Sequence, residues 1–109
     1  MIQDTSLGAR AQQAPINFSA SGDNIIVPSM SGTFVKVLQL LLVSGGATTL
    51  IFKSGVSLLS GPMPMLASGS ILLSYVQLPL QTLNLGDAFV INNSAAIQIG
   101  GIIWFLQSQ

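Results

Sequence analysis

The chain contains no cysteine, no histidine and no glutamate. Without cysteine there is no disulfide framework, no thiolate nucleophile and no thiolate metal site. Cysteine usage therefore leaves the redox compartment open. Without histidine, imidazole metal sites and the commonest general base are excluded. Charge is also scarce: 6% of the 109 residues are charged, against roughly 25% in an ordinary domain. The charged residues are Asp4, Arg10, Asp23, Lys36, Lys53 and Asp87, and nothing ionisable at neutral pH lies between Lys53 and Asp87. With no basic cluster, the electrostatic footprint of a nucleic-acid binder is missing.

Catalytic constellations are missing for the same reason. The three aspartates lie far apart in sequence, in or beside predicted turns or near the N-terminus. Asp23 and Asp87 each follow a glycine, a pairing that suits turns better than acid–base chemistry. A Ser or Thr nucleophile would need a base, and only Lys36 and Lys53 could serve. The Gly pairs at 45–46 and 100–101 fit neither GxGxxG nor GxxxxGK[ST]. A calcium loop would want clustered oxygen ligands of higher charge. The expectation is a non-enzyme with no cofactor and no metal.

Half of the residues are apolar, so one domain with a single core is expected at this length. A folded monomer of this mass exposes on the order of 5,700 Å², or about 950 Å² for each charge. Soluble monomers usually carry about 25–35% charged surface and a net charge away from zero, whereas this chain has a formal net charge of zero. Such a surface is expected to be covered by copies of itself or by another protein. The rival reading is a monomer solvated by its many hydroxyls and amides.

No secretory h-region is visible in MIQDTSLGAR. The neutral stretches are broken by Pro62, Pro64, Pro79, Asn92, Asn93 and the Gly100–Gly101 pair, so no membrane-spanning helix is expected. Residues 1–14 lack apolar periodicity and read as a flexible N-terminal arm, with the domain proper over 15–109. Beyond them the period is two. Strands are predicted over 15–21, 24–27, 33–43, 47–53, 56–59, 70–76, 88–92 and 96–106. Gly22-Asp23 reads as a turn, and Ser44-Gly45-Gly46 and Asn92-Asn93-Ser94 as the turns of two hairpins.

In TFVKVLQLLLV, a regular strand would place Phe34, Lys36, Leu38, Leu40 and Leu42 on one face. Val35, Val37, Gln39, Leu41 and Val43 would lie on the other. Both faces are largely apolar, as in a strand covered on both sides. The SGPMPM segment excludes a helix or a central strand, since neither proline can donate to a ladder. It reads as a loop that crosses between sheets or lies on a partner. Gly100–Gly101 marks a bulge or a close backbone approach. Trp104 and Phe105 should point to opposite faces, leaving one as a candidate interface anchor. About eight short strands with regular turns and no helix predict an all-β, jelly-roll-like antiparallel β-sandwich.

The stretches VLQLLLVSGGATTLIFKSG, LLSGPMPMLASGSILL and LGDAFVINNSAAIQIGGIIWFL, in that order, resemble small tailed-bacteriophage virion proteins. The pattern covers roughly residues 18–106. The resemblance implies a capsid decoration (cement) protein, a symmetric homo-oligomer such as a trimer. It implies a virion location, assembly in the host bacterial cytoplasm, and contact with the major capsid protein or another virion protein. A head-fibre or tail/baseplate component is the alternative within that setting. A jelly-roll carbohydrate- or receptor-binding module is the alternative outside it. The expected subunit or capsid interface comprises Phe34, Leu38, Leu40, Leu42, Pro62, Met63, Pro64, Met65 and Trp104. No nucleic acid or membrane partner is expected.

Overall fold

The structure is a computed structural model that describes residues 11–74 and 80–109. The predicted ends of the 70–76 strand, Tyr75 and Val76, lie outside the described residues, as do Pro79 and residues 1–10 of the arm. The described residues form ten strands: β1 (Gln12–Phe18), β2 (Gly22–Val27), β3 (Phe34–Ser44), β4 (Thr48–Ser54), β5 (Ser57–Leu58), β6 (Met63–Met65), β7 (Ser70–Leu73), β8 (Leu80–Gln81), β9 (Phe89–Asn93) and β10 (Ile99–Ser108). Among the described residues there is no helix, and hence none long and apolar enough to cross a membrane.

Two antiparallel sheets face one another. The first runs β1-β10-β3-β7, with β8 also pairing β3; the second runs β2-β9-β4-β5, with β6 also pairing β4. Taking β5 with β6, and β7 with β8, as interrupted strands leaves a jelly-roll wrap in which every connection but the β4–β5 hairpin passes from sheet to sheet. The fold class expected from the sequence is the one observed. The arm boundary moves, because Gln12–Ala14 pair with Ile103–Phe105 as the start of β1. Pro15 is tolerated there because β1 is an edge strand.

The predicted turns fall close to the observed ones, but they do different work. Ser44-Gly45-Gly46 does not close a hairpin: β3 belongs to the first sheet and β4 to the second. The β9–β10 connection likewise crosses between sheets. A hairpin does join β4 to β5, around Gly55, whose φ of 58° favours glycine. The Gly22-Asp23 pair opens β2 instead of forming a free turn.

The two apolar faces of TFVKVLQLLLV have a specific cause. Trp104 pairs with Gln39 and Phe105 with Val37, so Leu38 is an extra residue without a partner. This bulge reverses the inward parity of β3. Val35 and Val37 are buried before it; Leu40, Leu42 and Ser44 are buried after it. The core is filled by residues such as Leu40, Leu42, Leu50, Ile91, Ile99 and Ile103, with the rings of Phe52 and Phe89 tilted at 60°, 5.6 Å apart. Burying a side chain of this size contributes roughly 1.5–3 kcal/mol.

Polar side chains clamp both ends of the sandwich. At one end the buried Thr48 hydroxyl donates to Asn93 Oδ1, while Asn93 Nδ2 donates to the Ile97 carbonyl at 3.0 Å. At the other, Ser54 Oγ donates to Asp87 Oδ2 at 2.7 Å and accepts from Leu83 N–H at 2.8 Å. Asn93 is fully buried at the end of β9, so it is a core clamp and not the exposed turn residue its neighbours suggested. Among the described residues, no buried side-chain nitrogen or oxygen lacks a partner.

Candidate functional site

The sequence-predicted interface residues do not form one patch. Leu40 and Leu42 are fully buried in the chain's own core, because the Leu38 bulge turns them inward. Met65 is also core, opposite Thr48, and Met63 is half-buried opposite Leu50. The segment around them is an edge strand of the second sheet, not a loop on a partner. Edge placement is what permits Pro64, whose missing N–H then interrupts no ladder. The crossing between sheets comes immediately afterwards, where Gly69 N–H bonds to the Leu66 carbonyl at 2.8 Å. Pro62 and Pro64 are exposed, whereas Phe34 and Leu38 are half-buried on the first sheet. The 62–65 segment and β3 therefore belong to different sheets and cannot supply one continuous surface.

The aromatic pair divides as expected. Phe105 is core. Trp104 is half-buried, and its indole N–H donates to Gln13 Oε1 on β1 at 3.1 Å. Its partner across the other side is Gln39. This row begins a surface that the sequence did not reveal as a unit.

The registers of β1, β10, β3 and β7 align the outward residues of the first sheet in rows. One row is Pro15, Ile102, Leu41 and Leu72, apolar from edge to edge. On one side of it lie Asn17, Gly100, Val43 and Ser70; on the other lie Gln13, Trp104 and Gln39. Leu72 is 64% exposed, Val43 44% and Leu41 37%. Amides at the ends are tied down, with Gln98 Nε2 donating to Asn17 Oδ1 at 2.7 Å. An apolar centre with aromatic and amide flanks has the composition of an interface. None of these rows contains an ionisable side chain.

The charges lie elsewhere. On the outer face of the second sheet, Lys53 Nζ contacts the Asp23 carboxylate at 2.8 and 3.1 Å, and Asn92 Nδ2 donates to Asp23 Oδ1 at 2.7 Å. The Lys53 ammonium, helped by the Asn92 amide, holds the Asp23 carboxyl below its ordinary range. Asp87 is engaged by Ser54, and Lys36 reaches the Gln109 carbonyl at 3.2 Å, beyond the bulge. The rows of the first sheet between Gln13 and Asn17 are thus free of charge, with Lys36 on the same sheet beyond the bulge, and the second sheet carries the ion pair. Among the described residues, no group of three potential metal-ligating side chains converges.

No protein-family model matches the chain, and no curated protein does. Among solved structures, it is similar to a chain from Bacillus endospore appendages, described as a novel family of disulfide-linked pili. The similarity covers 93% of this chain and 88% of that one, with a TM-score of 0.55 and 17% sequence identity. At that identity the likeness establishes a shared fold.

Proposed function

We propose that this chain is a structural subunit that works in many copies within a larger protein assembly. The observation that carries the reading is the edge-to-edge apolar row of Pro15, Ile102, Leu41 and Leu72 on the outer face of the first sheet, with charge-free rows on either side. A monomer would leave that row in water at a cost of about 25 cal/mol per Å² of apolar area. The shortage of charge over the whole chain supports the same reading, since little repulsion holds copies apart.

The finer setting is a bacteriophage virion, as a capsid decoration protein in symmetric oligomers such as trimers, in line with the sequence resemblance. A second setting is favoured by the fold neighbour: a subunit of a surface appendage, as that neighbour belongs to a pilus. The neighbour's pili are disulfide-linked; this chain has no cysteine, so its own seams would hold without disulfides.

Sedimentation of the purified chain across a hundredfold dilution tests the proposal. The expected result is a discrete assembly heavier than the 11.3 kDa chain. A chain that sediments as a monomer throughout contradicts it.

A further inference from the structure

We draw no further inference here: the strongest candidate, the exposed apolar side chains of Met30, Val56, Leu83 and Leu85 on the three hydrogen-bonded loops at one end of the sandwich, carries nothing, because nothing in the structure shows what covers it.

Discussion

Gly101 shows how one residue can be required by its neighbour's backbone. A Cβ built there would lie 1.8 Å from the Leu41 carbonyl oxygen, far inside any tolerable contact. The adjacent Gly100 is different, since its Cβ would meet only the Ile16 oxygen, at 4.0 Å. Gly101→Ala must push β10 away from β3 and should cost about 3 kcal/mol or more. Gly100→Ala should change stability by less than about 1 kcal/mol. Urea unfolding of the two variants checks this; equal, small effects would mean that β10 and β3 do not approach as described. The GG dipeptide announced a special backbone in the sequence. Which glycine was critical depended on a contact sixty residues away and could not be read from the local chain.

At the level of strands, periodicity located most segments, and proline and glycine located most breaks. The pairing partners were harder, because a turn such as SGG serves equally in a hairpin and in a crossing between sheets. The β3 bulge was invisible for a physical reason. An extra residue matters only when a partner strand fixes the register, and both faces of TFVKVLQLLLV are apolar. Assigning Leu40 and Leu42 to the outer face follows directly from missing Leu38. Asp23 was read as a turn residue, yet it links three strands through Lys53 on β4 and Asn92 on β9. Because folding lowers the Asp23 pKa, its contribution is fully present above the ordinary carboxylate range. It is lost as pH falls through the lowered folded value. The carboxylate is exposed, so solvent screening limits the effect to about 0–1 kcal/mol. Asp23→Asn should therefore lower stability slightly at pH 7 and converge with wild type in strong acid. Paired urea titrations at the two pH values measure this; a gap that widens in acid would contradict the assignment.

For the whole molecule, composition was informative about what the surface must do and silent about where. A chain with so little charge has to place its apolar surface somewhere; part of it forms rows on the outer face of the first sheet, while Ile25, Val56, Leu58 and Leu66 are exposed elsewhere. That face draws its rows from β1, β10, β3 and β7, which are distant in sequence, so no local pattern could expose it. Trp104 was singled out correctly as the outward member of its aromatic pair. The Gly-Pro-Met-Pro-Met segment is an edge strand, with Met63 and Met65 packed toward the core and Pro62 and Pro64 exposed. The lone tryptophan now provides a reporter, because it borders the apolar row and is anchored to Gln13. The most direct measurement is acrylamide quenching of Trp104 fluorescence, followed together with solution mass across a hundredfold dilution. The account predicts that Trp104 is shielded in the assembled state and becomes more accessible in step with dissociation. An assembly that forms and dissolves while Trp104 stays equally accessible would place the seam on another surface and contradict the account.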